Sequence, residues 1–290
     1  MTCPYCQSLF IKKKGKRNEK QRFICNACKK QWVSPLVDLI DITNKDVEPG
    51  GVFKYKTDKD VIRIHCGTDI HHGAKEHHYE KFDEFIDTID KDNDGLFFLN
   101  GDNIELIPPN YKISQRGQYM EPDDQHFTFA ERIRKIRNKL LFIRGGNHDM
   151  IRSENLLGFD VSKALARDLN VPYFKMPGYS EIQVKGKKWY LVTGHGKGGG
   201  KNGDLELDKM AAVYSDGDIF LLGHNHQLYT KPIDSLVVDG DEERLKRRWY
   251  CRGGSFLKYA EYARYSFFPM VRTGWVTMEF SELGIKCWVN

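Results

Sequence analysis

Ile143-Arg144-Gly145-Gly146-Asn147-His148-Asp149 decides how this chain is read. The apolar run from Leu140 to Ile143 predicts a short buried strand. A Gly-Gly turn ends it, and an amide, an imidazole and a carboxylate follow at once. Asn, Gly and Asp are also turn formers, so this stretch by itself fits a solvated turn equally well. Repetition decides between the two, because four other strand tips carry side chains of the same kind.

Val61 to Cys66 predicts a strand running into Asp69 and His71, which stand two apart and so share one face of an extended segment. Leu96 to Leu99 predicts another buried strand, with Asp102 at its tip. Glu181 to Val184 and Lys188 to Thr193 predict a hairpin around Lys185-Gly186-Lys187, its second arm ending at His195. Asp218 to Leu222 delivers His224 and His226, again two apart. Apolar spacing predicts helices over about 77–91, 127–138, 153–169 and 204–214. In the second of these, Arg132, Arg134, Lys135 and Arg137 are expected to form a solvated face. Residues 104–125 are irregular and either shape access to the tips or form a surface excursion. Residues 247–260 and 271–280 are expected to close a second sheet. Carboxylate and imidazole donors together suit a divalent transition metal.

In the order DxH, GD, GNHD, GH, GHxH, these blocks resemble the calcineurin-like metallophosphoesterases over about residues 58–285. The resemblance implies an α/β fold, a four-layer α/β/β/α sandwich with two metals at the strand tips. It assigns Asp69, His71 and His226 to one metal, and Asn147, His195 and His224 to the other, with Asp102 bridging. His148 would give a proton to the leaving oxygen, and Asp149 would orient His148. The Asp-x-His and Asn-His-Asp blocks are similar to those of the family's repair nucleases. The Asp-Arg-Gly continuation and the Glu after Asn-His found in its protein phosphatases are missing here. Mixed oxygen and nitrogen donors favour manganese, with iron or zinc open. His72 either touches substrate or fills space, and the extra glycine at Gly145 has no account in the sequence.

The N-terminus carries a different signal. Cys3 and Cys6 form one CxxC pair, Cys25 and Cys28 a second, with eighteen residues between them. Two such pairs supply four thiolates for a closed structural zinc site. The segment resembles the zinc ribbons of transposase-associated and transcription proteins. Residues 1–33 hold nine Lys or Arg against one acid, a charge of +8 within a chain whose total is +5. Lys12, Lys13, Lys14, Lys16, Arg17, Lys20 and Arg22 lie between the two pairs and are expected to contact phosphates. Phe10, Phe23 and Trp32 could stack on bases or form the ribbon's few core residues. Cys66, Cys251 and Cys287 read as buried small hydrophobes. The expected organisation is a zinc ribbon at 1–33, a linker at 34–57 and a metallophosphoesterase domain at 58–290.

Across 290 residues, no apolar run approaches the roughly 18 residues of a membrane span, and no signal-peptide pattern opens the chain. A cytoplasmic protein without a membrane partner is expected. The leading reading is a dinuclear metal phosphodiesterase, a nuclease hydrolysing DNA ahead of RNA, with the ribbon engaging nucleic acid. One alternative is a nucleotide or cyclic-nucleotide phosphoesterase whose ribbon targets or assembles. The other is a nucleic-acid-binding or scaffold protein with a vestigial site.

Overall fold

The structure, a computed structural model, describes residues 3, 5–17, 20–33, 51–108, 111, 115–197, 203–259, 265, 267 and 270–290, the side chains of 16, 17, 20, 21, 33, 115, 203 and 239 aside. The chain divides into two compact units, Met1–Asp41 and Ile42–Asn290.

The smaller unit is an antiparallel sheet of β1 (Ile11–Arg17), β2 (Lys20–Cys25) and β3 (Gln31–Val33). Among its described residues the aromatic packing is little more than Phe23, stacked on Trp32 at 5.7 Å, with Tyr5 edge-on to Trp32. Phe23 and Trp32 thus act as the ribbon's core, while Phe10 is exposed. Among the described residues so small a packed group cannot hold a fold alone, and the four cysteines can supply the rest through a metal.

The larger unit is built on two six-stranded mixed sheets. The second sheet has the order β15-β14-β5-β6-β7-β8, formed by β5 (Val61–Gly67), β6 (Gly95–Asn100), β7 (Leu140–Arg144), β8 (Tyr173–Phe174), β14 (Val276–Ser281) and β15 (Gly284–Val289). The first has the order β12-β13-β11-β10-β9-β4, formed by β4 (Phe53–Thr57), β9 (Gly178–Val184), β10 (Lys187–Gly194), β11 (Ile219–Leu222), β12 (Leu228–Asp239) and β13 (Glu242–Gly253). Every residue of β6 and β7 is buried, as befits parallel strands covered on both faces. The sheets pack face to face through aromatics, with Phe53 of β4 lying 5.0 Å from Phe142 of β7.

Helices α1 (Tyr79–Lys91), α2 (Pro122–Arg134) and α4 (Val161–Leu169) cover the second sheet, and α5 (Gly203–Val213) covers the first. The result is the four-layer α/β/β/α arrangement. Phe82, Phe85, Ile86 and Ile89 form the buried face of α1 and join Phe97, Leu99, Phe129 and Ile143 in the main core.

Several expectations are corrected. Residues 53–57 are not linker. Phe53, Tyr55 and Thr57 are buried in alternation, and β4 pairs in parallel with β9. Residues 34–50 of the expected linker lie outside the described residues. The helix expected over 153–169 is broken into α3 (Ser153–Leu157) and α4, because Gly158 turns left-handed at φ 64° and Asp160 caps α4 by accepting from Lys163 N. β13 and β14 belong to different sheets, so the two C-terminal segments do not close one sheet together. The basic face expected over 127–138 is not wholly solvated, and its helix ends at Arg134. Arg132 ion-pairs with Asp83 over the Phe82 ring, and Arg137 donates to the Leu169 carbonyl. Among the described residues no helix is long and apolar enough to cross a membrane.

Candidate metal centre

Register brings the tips together. Parallel pairing sets Cys66 beside Phe98 and Asn100 beside Arg144, so β5, β6 and β7 end side by side. In the other sheet, Gly194 pairs with Leu222, so β10 and β11 also end together. Backbone hydrogen bonds continue past the strands: Asp69 N donates to Gly101 O, His71 N to Asp102 O and Gly223 N to His195 O. Asn100 Nδ2 crosses between the sheets to Gly194 O at 2.8 Å.

Asp69, His71, Asp102, Asn147, His195, His224 and His226 converge at these tips. Three groups each hold donor atoms within 4.8 Å of one another: Asp69, His71 and His226; His71, Asp102 and His148; Asp102, His195 and His224. Asp102 belongs to two of them. Asn147 joins the last, its Oδ1 lying 3.0 Å from His195 Nε2 and 2.6 Å from His224 Nδ1. His195 Nε2 is 3.1 Å from Asp102 Oδ2, and His226 Nε2 is 3.4 Å from Asp69 Oδ1.

The backbone is bent to make this possible. Asp69, His71, Asp102, His224 and His226 hold φ of 50°, 50°, 51°, 70° and 59°. The left-handed region costs a non-glycine residue about 1–3 kcal/mol, and such costs gather at functional sites. The Gly-Gly turn is explained as well. A Cβ on Gly146 would stand 2.2 Å from both N and Oδ1 of Asp102, and one on Gly145 would stand 2.5 Å from Met150 Sδ.

Two tautomers are set by carbonyl or carboxylate partners. His195 Nδ1 faces Asn100 O at 2.9 Å, and His71 Nδ1 faces Glu105 Oε2 at 2.7 Å. In each ring the Nε2 is left toward the centre. His71 Nε2 is buried without a hydrogen-bond partner among the described residues, 4.0 Å from Asp102 Oδ2. An orphaned buried imidazole nitrogen among carboxylates fits a divalent cation. Burial opposes charge on His195, yet Asp102 and Asp69 outweigh it and lift the ring to about 10. Burial likewise opposes charge on His71, and Glu105 lifts it to about 9. Burial opposes ionisation of Asp69, but His195 and His226 hold it at about 2. Without cations, protons on His71 and His195 balance the carboxylates; bound metals would displace them.

Sequence reading missed Glu105, which no motif marks, and Arg152, four residues after His148. Both are part of the site. The expected role of Asp149 is corrected: it accepts from Gly146 N, Asn103 N and Asn103 Nδ2 at 2.9, 2.8 and 2.7 Å, tying the loops after β6 and β7 together. His148 is oriented instead by the Glu105 carbonyl, 2.7 Å from Nδ1. Burial holds its imidazole down at about 4 against the pull of Asp102. His72 fills space, buried beside His77 and Phe129 with Nε2 2.9 Å from Thr128 Oγ1. Cys66, Cys251 and Cys287 are buried.

In the smaller unit, Cys3, Cys6, Cys25 and Cys28 form one cluster, with Cys3 to Cys28 and Cys6 to Cys25 sulfur distances of 3.6 Å. That is too long for a disulfide and close to the edge of a tetrahedron with zinc–sulfur bonds of about 2.3 Å. Amide hydrogens, Cys28 N first, hold the Cys25 thiol down at about 6. Lys12, Lys13 and Lys14 are exposed along β1, and Arg22 donates to Lys14 O. The side chains of Lys16, Arg17 and Lys20 lie outside the described residues.

No family model and no curated protein matches the chain. Solved structures do. A conserved uncharacterized protein from Streptococcus pneumoniae, described as a predicted phosphoesterase, is 14% identical over 80% of this chain and 99% of its own, with a TM-score of 0.36. Vps29 from Entamoeba histolytica, complexed with zinc, is 12% identical over 79% of this chain and 98% of its own, with a TM-score of 0.40. Vacuolar Protein Sorting 29 from Cryptosporidium parvum is 12% identical over 80% and 98%, also with a TM-score of 0.40. At such likeness, what those proteins bind or cleave does not transfer to this chain.

Proposed function

We propose that the larger unit is a dinuclear metal-dependent phosphodiesterase acting on nucleic acid, DNA ahead of RNA, and that the smaller unit is a zinc ribbon engaging that polymer. The observation that carries the enzymatic reading is Asp102, a buried carboxylate common to two donor groups that five left-handed residues help to assemble. Asp69, His71 and His226 would hold one cation, and Asn147, His195 and His224 the other, with Asp102 between them. Two bound cations clamp a phosphate and acidify a water for in-line attack. Manganese, iron and zinc all suit these donors. The protein's own residues keep the donors in register, Asp149 through the loop backbone and Glu105 through His71. His148 would face the leaving oxygen and act as its acid only once Nε2 has itself taken up a proton from solvent, to pass on as the bond breaks. The nucleic-acid part of the reading is supported by the charge of +8 in residues 1–33.

The test is hydrolysis of labelled single- and double-stranded DNA with manganese by the full chain and by His148→Ala. The variant is expected to lose about 10²–10⁴ in rate. Cleavage of bis-p-nitrophenyl phosphate without cleavage of either DNA would move the substrate to a small phosphodiester. Hydrolysis of neither would remove the enzymatic reading.

A further inference from the structure

Arg152 ends the π-helical turn Asn147–Arg152 and is 8% exposed. Its Nη1 donates to the Glu105 and Leu106 carbonyls, both at 2.9 Å, and its guanidinium lies 4.8 Å over the Tyr111 ring. Its Nη2 lies 2.9 Å from His148 Nε2. A guanidinium only donates, so Nε2 is the acceptor there. A carbonyl only accepts, so the ring proton of His148 sits on Nδ1, facing Glu105 O. Two steps, of 2.9 and 4.0 Å, lead from Arg152 Nη2 through His148 Nε2 to Asp102 Oδ2. Among the described residues no carboxylate lies within ion-pair distance of this cation. Glu105 is its nearby counter-charge, acting through space, and that carboxylate is already hydrogen-bonded to His71. A neutral imidazole nitrogen is a weak acceptor for the guanidinium beside a phosphate oxygen, which takes charge-assisted hydrogen bonds.

We propose that Arg152 is the anion-binding residue of this centre: a non-bridging phosphate oxygen of the substrate replaces His148 Nε2 as the acceptor of Nη2–H, which leaves the Nε2 lone pair free. The inference rests on the phosphoesterase reading above and adds to it a contact that depends on no metal.

The experiment uses the full chain loaded with zinc, which is diamagnetic, with Arg152→Gln and Arg152→Lys beside it. Metal content and thermal unfolding are measured first, then orthophosphate affinity by calorimetry, then the ¹⁵N shifts of His148 with and without orthophosphate. The Gln variant is expected to keep its metals and bind orthophosphate about tenfold or more weakly, as removal of a hydrogen bond to a charged group implies. The Lys variant should recover part of that loss. In the parent, orthophosphate should move the Nε2 shift of His148, and in the Gln variant it should not. A folded, metal-loaded Gln variant that binds orthophosphate as tightly as the parent overturns the inference and leaves the phosphoesterase reading standing. If the Gln variant does not fold, a His148 Nε2 shift in the parent that orthophosphate leaves unmoved overturns it equally. A metal-loaded parent that neither binds orthophosphate nor cleaves any phosphodiester removes both.

Discussion

Glu105 Oε2 accepts a hydrogen bond from His71 Nδ1 at 2.7 Å, and this one contact determines what His71 offers the centre. One ring proton is committed to the carboxylate, so Nε2 is the nitrogen that can shed its proton and offer a lone pair to a cation beside Asp102. The carboxylate also makes the imidazole a stronger donor. Partners of this kind behind a metal-ligating histidine typically contribute 10–100-fold in affinity. Glu105→Ala is therefore expected to weaken manganese binding by about that factor, and Glu105→Gln, which keeps an acceptor, by less. Calorimetric titration of metal-free protein reads both. Equal affinities in all three proteins would show that His71 does not ligate through the nitrogen left free.

The close approach of Gly146 to Asp102 makes a second outcome sharp. A methyl group at 146 would stand 2.2 Å from a backbone nitrogen and a carboxylate oxygen of Asp102, neither of which can swing aside. Overpacking of this kind typically costs 1–3 kcal/mol. Gly146→Ala should lower the unfolding free energy measured in urea by about that much and abolish binding of at least one of two metals. Gly158, left-handed but with open space around it, is the control. Gly158→Ala should destabilise through its backbone alone, by about 1 kcal/mol, and leave metal binding intact.

What could be read beforehand divides by sequence distance. Asp69, Asp102, Asn147, His195 and His224 each close a local pattern, an apolar run ended by glycine and a polar side chain, and so were visible residue by residue. Phe53, Tyr55 and Thr57 alternate like a strand, but the partner that makes them one is β9, far along the chain. Pro49-Gly50-Gly51 just before them pointed to linker. Glu105 follows no strand directly, and its carboxylate matters only because the loops after β5 and β6 pair with each other. Arg152 needed the π-helical turn, which sets it over His148; an expected ordinary helix from 153 gave no reason to look there. The break at Gly158 was readable in principle, since a glycine followed by a capping Asp160 is a helix-stop and helix-start signal.

His65 gives the larger unit a pH dependence that does not involve the centre. It is buried on β5, with Nδ1 accepting from Thr277 Oγ1 at 2.9 Å and Trp275 Nε1 at 3.3 Å, while Asp92, Arg63 and Lys139 are the charged groups around it. Burial, aided by Arg63 and against the pull of Asp92, lowers its pKa from 6.5 to about 4. Between those values the unfolded chain binds the extra proton, so stability falls as pH falls through the window, and the loss is complete below the folded value. At pH 5 this single group should cost about 2 kcal/mol relative to pH 7. His65→Gln should remove that share of the decline in a urea titration repeated at the two pH values. Parallel declines in variant and parent would show that His65 is protonated alike in both states.

The ribbon's proposed role makes a prediction in which fold and charge must fail together. Lys12, Lys13 and Lys14 are exposed on β1, which is held by its pairing to β2 and by the four-sulfur cluster. If they neutralise phosphates, each contact adds about 0.9 to the slope of log affinity against log salt on duplex DNA. Replacing all three by Gln should flatten that slope by up to about 3 and weaken binding at low salt without changing sequence preference. Cys6→Ser, which removes one of four thiolates, should cost the chain a single zinc and flatten the slope by a similar amount, because the strand that presents the lysines is no longer held. The metals of the larger unit should remain bound in both variants. A cysteine variant that loses its zinc yet keeps the parent's slope would mean that the lysines act as an unstructured basic run. A slope unchanged in both would remove nucleic acid as the ribbon's partner.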